Sequence, residues 1–293
     1  MGNAWVFPGQ GSQKVGMAAG VLELPGGRAR FAAASELLGR DLLAICEGEG
    51  EGDLNDTRNT QPALFAVESL LIDALKAQGR APQLVAGHSA GELVALYAAG
   101  VLDADTGLQL IKTRSELMAA AGGGAMTAVM GFDRTQLEEL VAATDGVVIA
   151  NDNSNAQVVI SGSPEAVAAV SSQLSCKRAI PLAVSGAFHS PFMAEAAGAF
   201  AQVLAAVPFA DAQIPVISNT DPTPETSGEA LKARLTSQMT SGVRWRETMQ
   251  RLSADDINVA VEIGPGNVLS GLIKRSCPDI TTAQISTAGD LGQ

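Results

Sequence analysis

A pentapeptide, GHSAG at residues 87–91, is the feature that most constrains how this 293-residue chain folds. It follows the apolar pair Leu84-Val85 and precedes apolar residues at helical spacing up to Gly100. A Gly-x-Ser-x-Gly turn between a strand and a helix is typical of a nucleophile elbow, which lifts the serine hydroxyl out of the fold. The pattern therefore predicts an α/β fold with Ser89 as nucleophile. The Ala90 amide, at a helix N-terminus, is positioned to stabilise an oxyanion.

Composition excludes several classes of partner. Hydrophobic residues make up 46% of the chain, which is enough for a sizeable core, and the net charge is −12. That charge argues against nucleic acid or an anionic membrane surface as the main partner, and no apolar run approaches the roughly 18 residues of a membrane span. Cys46, Cys176 and Cys277 have neither metal-type spacing nor a paired framework. We therefore expect no metal and a reducing, cytoplasmic location.

The pattern of elements changes after the glycine triplet at 122–124. Short segments follow, and their predicted order, βαββαβ, is that of a ferredoxin-like unit. We therefore expect a hydrolase-like main domain with a parallel sheet, formed by residues 1–124 and 187–293. A ferredoxin-like small domain is inserted at residues 125–186, and a cleft between the two domains is expected.

Three local predictions concern element boundaries. Pro62 is predicted to open a helix that Gly79 closes. The polar residues 151–155 are predicted to form a turn between the central strands of the small domain. The last strand of that domain is predicted over residues 179–184.

Arg114 is predicted to face the protein interior. It lies within the apolar stripe formed by Leu110, Leu117 and Met118, on a helix that Asp103 is predicted to cap. A buried arginine needs an anionic partner. That partner is either a substrate carboxylate or phosphate, or an Asp or Glu of the protein itself.

His189 is the candidate general base. The chain has two histidines, and His88 lies inside the elbow, too close to turn back onto Ser89. A serine nucleophile needs a base, which leaves the histidine 100 residues further on (189 − 89).

A glycine-rich loop, PGQGSQ at residues 8–13, follows the first predicted strand. It lacks the Gly-Lys-Ser/Thr ending of a P-loop, and Lys14 stands where a dinucleotide fingerprint requires glycine. The loop is therefore interpreted as one that lets the backbone approach another group closely.

Five motifs occur in an order that resembles the malonyl-CoA:acyl-carrier-protein transacylases of fatty-acid synthesis and the related acyltransferase domains of polyketide synthases. They are FPGQGSQ at 7–13, GHSAGE at 87–92, Arg114, AFHS at 187–190 and EIGPG at 262–266. Together they extend over nearly the whole chain. Its length resembles that of the discrete bacterial enzyme.

The resemblance implies a ping-pong transfer of a malonyl group from malonyl-CoA to the thiol of acyl carrier protein, in either fatty-acid or polyketide synthesis. No cofactor is implied. Ser89 would carry the malonyl ester and His189 would act as base. The backbone amides of Gln10 and Ala90 would form the oxyanion hole. Arg114 would bind the malonyl carboxylate through its planar fork.

Further roles follow from the same resemblance. The main-chain carbonyl of Gln238, rather than an aspartate, would orient the histidine, and Asn151 and Asn153 would border the pantetheine arm. Phe188 resembles the variant associated with malonyl rather than methylmalonyl groups. Ala90 departs from the larger apolar residue that is common at its position, which affects fine acyl selectivity and not the chemistry.

Two other functions are compatible with the sequence. A serine thioesterase or esterase of the α/β-hydrolase type shares the elbow, but it requires an acid between serine and histidine and often an HGGG loop, which is absent from this sequence. A non-enzymatic docking subunit for carrier proteins would not need Ser89. Because carrier proteins in these pathways are acidic, docking is expected at a local basic patch, either Arg244/Arg246 or Lys274/Arg275.

Overall fold

The computed structural model describes residues 2–184 and 186–292. Five parallel strands form its main sheet, in the order β7-β2-β1-β8-β9. These strands are β1 (Gly2–Phe7), β2 (Leu84–Gly87), β7 (Val216–Ile217), β8 (Ile257–Ile263) and β9 (Thr281–Ile285). Strand β1 lies at its centre, between β2 and β8, and its last four residues are an apolar run that is buried, as is typical of a parallel sheet covered on both faces.

Both faces of the main sheet are buried. Along β1, Trp5 and Phe7 point into one apolar cluster, whereas Ala4 and Val6 point into a second cluster on the opposite face. This alternation follows from the two-residue period of a strand. Nine helices of the described chain accompany this sheet: α1 (Gly27–Leu38), α2 (Leu42–Glu47), α3 (Thr57–Ala77), α4 (Gly91–Ala98), α5 (Ala104–Ala120), α8 (Ala194–Ala206), α9 (Gly228–Gln238), α10 (Trp245–Ala254) and α11 (Val268–Ser276).

A second, antiparallel sheet has the strand order β4-β5-β3-β6. Its elements are β3 (Ala125–Phe132), α6 (Arg134–Ala143), β4 (Val147–Ser154), β5 (Gln157–Gly162), α7 (Pro164–Gln173) and β6 (Cys176–Pro181). This βαββαβ order confirms the predicted fold class, an α/β main unit with a ferredoxin-like insertion. Among the residues described, no helix is both long enough and apolar enough to cross a bilayer.

The prediction that Pro62 opens a helix was wrong. Helix α3 begins at Thr57 behind an Asp56 cap, and Pro62 lies inside it. A proline there frees the carbonyl four residues earlier, that of Arg58. Arg40 Nη2 donates to this carbonyl at 2.7 Å, so a distant side chain replaces the missing hydrogen bond.

Two boundaries in the small sheet also differ from prediction. Strand β4 continues through Ser154, so most of the predicted turn at 151–155 is extended, and only Asn155 and Ala156 form the turn. Strand β6 begins at Cys176 and ends at Pro181, three residues earlier than predicted at each end. The polar side chains at 151–154 therefore lie on a strand that faces the main unit.

The small sheet joins the main unit through backbone pairing. Val243 N donates to Ala150 O at 2.8 Å, and Asp152 N donates to Val243 O at 2.9 Å. The Asp152 carboxylate also accepts from Arg246 Nε at 2.9 Å. The segment that precedes α10 thus extends the small sheet beyond β4.

Candidate active site

The elbow lies where β2 ends and α4 begins. Ser89 has a φ of 54°, a left-handed conformation that non-glycine residues rarely adopt. A Cβ on Gly87 would lie 1.8 Å from Gly91 O, and one on Gly91 would lie 2.3 Å from Phe7 O. Both flanking positions therefore require glycine, for the reason that the pattern predicted.

Asn219 holds the strained turn from the end of β7. Its Oδ1 accepts from Ser89 N at 2.7 Å, while its Nδ2 donates to Gly87 O at 2.6 Å. Both polar groups of the side chain are thus committed to the elbow backbone. Sequence reasoning missed Asn219, because an asparagine after a short strand is most simply interpreted as a turn residue.

His189 lies against the serine. Its Nε2 is 2.7 Å from Ser89 Oγ, and its Nδ1 is 3.1 Å from Gln238 O and 3.2 Å from Ser241 O. A carbonyl oxygen only accepts hydrogen bonds, which assigns the proton to Nδ1 and leaves Nε2 to accept from the serine hydroxyl. Gln238 is the last residue of α9, so its carbonyl has no partner within the helix; besides the imidazole, it accepts from Ser241 N at 3.3 Å.

The imidazole is held in its neutral form. Burial, and secondarily the charge of Arg114, lowers the pKa of His189 to about 3, although the two carbonyls oppose this shift. His189 is 3% exposed, whereas Ser89 is half-buried. The base therefore stays unprotonated at neutral pH.

Arg114, in α5, is fully buried beside the serine. Its Nη1 donates to Gln61 Oε1 at 2.7 Å, and its Nη2 donates to Gln238 Oε1 at 2.8 Å and to Ser89 Oγ at 3.2 Å. Burial lowers its pKa to about 10, so it remains charged at neutral pH.

Within the described chain, no carboxylate forms an ion pair with Arg114. The ion pair within the protein that the sequence left as an alternative is therefore absent. The groups that accept hydrogen bonds from Arg114 are all neutral. A buried cation without a direct counter-ion favours an anionic ligand. The predicted Asp103 cap of this helix is present and accepts from Thr106 N at 2.8 Å.

Two backbone amides beside the serine have no acceptor among residues 2–184 and 186–292. They belong to Gln10 and Ala90. A Cβ on Gly9 would lie 2.4 Å from His88 O and 3.6 Å from Ala90 N, which shows how closely the glycine-rich loop approaches the elbow. The group that this loop approaches is thus the elbow backbone itself.

His88 contacts a different partner. Its Nε2 lies 2.8 Å from Asn153 Oδ1, and its ring packs edge-on against Trp245, 5.5 Å between centroids. Asn153, on β4, is therefore committed to His88. Asn151, on the same strand, presents a buried Oδ1 that has no hydrogen-bond partner in the part of the chain described.

A cleft of about 180 Å³ runs between the two sheets next to the elbow. One wall is the loop 8–12 with the start of α11, and the other consists of residues of β3, β4 and β5, including Asn151 and Asn153. It adjoins a cavity of about 380 Å³ that Lys274 and Arg275 border, and the two share Gln157, Val268 and Leu272.

The chain is similar to known acyl transferases. Residues 4–290 match the acyl transferase domain family. The chain is 50% identical to the malonyl CoA-acyl carrier protein transacylase of Synechocystis sp., with 99% of each chain covered. It is 38% identical to the transacylase of that name from Escherichia coli K12, with 97% of this chain and 95% of that one covered.

Solved structures agree with these matches. The crystal structure of the Synechocystis malonyl-CoA:ACP transacylase superposes with a TM-score of 0.97, covering 100% of this chain and 99% of that one. A type II PKS acyl-carrier protein in complex with its malonyl-transacylase gives a TM-score of 0.91 at 38% identity, covering 99% and 98% of the two chains. The chain therefore belongs to the acyl transferase family and, within it, to the malonyl CoA-acyl carrier protein transacylases.

Proposed function

We propose that this protein transfers a malonyl group from malonyl-CoA to the phosphopantetheine thiol of an acyl carrier protein, through an ester on Ser89. One observation carries the proposal: a neutral imidazole and an unpaired guanidinium both contact Ser89 Oγ, at 2.7 Å and 3.2 Å. The first group supplies a base and the second recognises an acid-tipped acyl group. Full-length relatives named for this reaction support it.

Each half-reaction uses the same groups. As Ser89 Oγ attacks the thioester carbonyl, its proton passes to His189 Nε2, and the free amides of Gln10 and Ala90 donate to the oxyanion. The C–S bond then breaks, and the imidazolium returns its proton to the departing thiolate of coenzyme A. A carrier thiol reverses these steps by attacking the ester, with His189 again accepting the proton.

Arg114 sets the acyl selectivity. Gln61 and Gln238 hold the guanidinium on two sides, which leaves its fork aimed at the acyl chain on Ser89. A malonyl carboxylate would pair with it bidentately, whereas an acetyl group would leave the buried charge without a directly bound anion.

The cleft between the sheets is where we place the pantetheine arm in this proposal. The amide N–H groups of pantetheine need acceptors, and Asn151 Oδ1 is a buried acceptor without a partner in the described residues. Asn153 borders the same cleft and holds His88. We propose that the sheets are separate domains, with the small domain spanning 125–186, and that the arm lies between them.

Carrier-protein docking is proposed at Lys274 and Arg275. These residues border the cavity that continues from the cleft, so their charges lie where an arm would leave the protein. Arg244 and Arg246 are less available, because they pair with Glu247 at 2.5 Å and Asp152 at 2.8 Å. The first pair is therefore the stronger candidate.

The thioesterase alternative is not favoured. An α/β-hydrolase places a carboxylate on the histidine. Here His189 Nδ1 faces the carbonyls of Gln238 and Ser241 instead. A cytoplasmic location remains a prediction, supported by the three free thiols of Cys46, Cys176 and Cys277.

Intact-mass measurement tests the function. Protein mixed with equal malonyl-CoA and acetyl-CoA should gain one malonyl group, located on Ser89, and lose it to added holo-carrier protein. The variant Ser89→Ala should gain nothing. Release of free malonate without transfer to the carrier would instead support a thioesterase.

A further inference from the structure

Glu92 is a buried carboxylate that the proposed reaction does not use. It lies in the first turn of α4, three residues after the nucleophile, and is 1% exposed. Its Oε2 accepts from Asn219 N at 3.0 Å and from Gln238 Nε2 at 2.7 Å. Burial raises the pKa of Glu92, whereas these two donors and the charge of Arg114 act in the opposite direction and favour the ionised form.

Gln238 connects this carboxylate to Arg114. A guanidinium only donates, so the carboxamide must turn Oε1 toward Arg114, and it accepts there from Nη2 at 2.8 Å. Its Nε2 must then face the other way, where it donates to Glu92 Oε2 and to Ser89 O at 3.0 Å. One amide group thus separates a buried anion from a buried cation.

We propose that Glu92 is the counter-ion of Arg114, held one amide away so that it balances the guanidinium without occupying the face that binds substrate. The inference rests on the proposed malonyl transfer. It gives Glu92 a positioning and electrostatic role rather than contact with the reacting atoms.

This arrangement has a specific kinetic consequence. When His189 takes the serine proton, a second positive charge forms beside Arg114. The oxyanion offsets that charge with either substrate. With a malonyl group, the substrate carboxylate and Glu92 both add to this effect, whereas with an acetyl group only Glu92 does so. Loss of the Glu92 charge should therefore slow acetyl transfer more than malonyl transfer.

The test is Glu92→Gln, which keeps the shape of the side chain and its acceptor oxygen but removes the charge. The malonyl-to-acetyl ratio of kcat/KM should rise about tenfold relative to wild type, with kcat for malonyl reduced and its KM not raised. An unchanged ratio overturns the inference, whether both substrates slow equally or neither does. Wild-type protein that fails to transfer malonyl contradicts the proposed function instead.

Two further variants keep the test decisive. Gln238→Glu brings two carboxyl groups within hydrogen-bond distance, where they share one proton and one charge next to Arg114. This variant should lower the malonyl-to-acetyl ratio, opposite to Glu92→Gln, and it replaces Glu92→Gln as the test if that variant does not fold.

Glu262→Gln is the matched control, because Glu262 is also a buried carboxylate that accepts two backbone hydrogen bonds, from Leu269 N and Ser270 N. The Glu262→Gln variant should leave the malonyl-to-acetyl ratio unchanged.

Discussion

The polar side chains at the reaction centre and those along the cleft and its mouth differ in how many partners they have. Around Ser89, the side chains of Arg114, His189 and Gln238 are buried and each is fixed by two or more hydrogen bonds. The mouth of the cleft is the cavity of about 380 Å³ bordered by Lys274 and Arg275, which form no ion pair with any residue described. In the wall of the cleft itself, Asn151 Oδ1 is an acceptor without a partner among the described residues.

The difference matches the two tasks of a ping-pong transferase. The same acyl group occupies the centre in both half-reactions, so a rigid, preorganised site serves it throughout. On the docking proposed at Lys274 and Arg275, the mouth would receive two carriers in turn, coenzyme A and a protein, and groups without fixed partners can adapt to both. Changes at the centre should therefore lower kcat and alter acyl preference, whereas changes at the mouth should raise KM alone.

The largest effect is expected at the centre, from Arg114→Ala. Malonyl kcat/KM should fall about 10²–10³-fold, because the substrate carboxylate enters a buried site without its cation. Acetyl transfer should fall less, so the preference for malonyl should shrink. Competition between the two thioesters, read by mass on Ser89, measures this. An unchanged preference would remove Arg114 from acyl recognition.

A smaller effect is expected at the mouth, from Lys274→Glu combined with Arg275→Glu. The KM for carrier protein should rise about tenfold, with kcat and the malonyl-to-acetyl ratio unchanged. The rise should weaken at high salt, because screening reduces the attraction that was lost.

Lys177→Glu with Arg178→Glu is the matched control for that variant. These residues form an adjacent, exposed basic pair on β6, the edge strand opposite β4. They should leave the carrier KM within about twofold of wild type. A larger rise in carrier KM for this variant than for the Lys274→Glu, Arg275→Glu variant would indicate that the carrier protein docks at the outer edge of the small sheet.

The smallest effect is expected from acidification. With the pKa of His189 lowered to about 3, the base stays neutral as pH falls, so malonyl kcat/KM should change less than about twofold between roughly pH 7.5 and 5. A base at the ordinary value of about 6.5 would lose about 30-fold by pH 5. Circular dichroism at each pH separates titration of the base from unfolding.

Arg114→Ala sharpens the same measurement. Of the charged and titratable groups near His189, Arg114 lowers its pKa most and His88 contributes in the same direction, whereas the carbonyls of Gln238 and Ser241 raise it. Removal of the guanidinium should therefore move the acid limb of the profile to higher pH. A limb that stays in place would show that the charge of Arg114 does not lower the pKa of His189.

The parts of the molecule that depend on local spacing were predictable. The elbow glycines, the stripe that buries Arg114 and the βαββαβ order follow from periods of 3.6 and 2 and from steric rules, all of which act within a few residues. Most long-range side-chain partners were not; the exception is His189, which was inferred as the base for Ser89 across 100 residues. Gln61, Asn219 and Gln238 meet their partners across 53 to 149 residues, and a glutamine carries no sign of what it will hold.

The error at Pro62 has the same origin. Its position predicted the first turn of a helix, where the missing amide costs nothing. Arg40, from another segment, satisfies the carbonyl that the proline frees, and this allows the helix to begin five residues earlier. Local rules describe what one segment prefers, and a distant donor overrides that preference.

The pairing of Val243 with β4 makes the inserted unit an integral part of the catalyst. Ser241, whose carbonyl accepts from His189, lies two residues before this attachment, and Gln238 lies five before it. Excision of residues 125–186 would leave the amide and carbonyl of Val243 without hydrogen-bond partners. It would also free segment 238–243, whose carbonyls orient the imidazole. A shortened, single-sheet version of this protein would therefore keep its nucleophile but lose the alignment of its base.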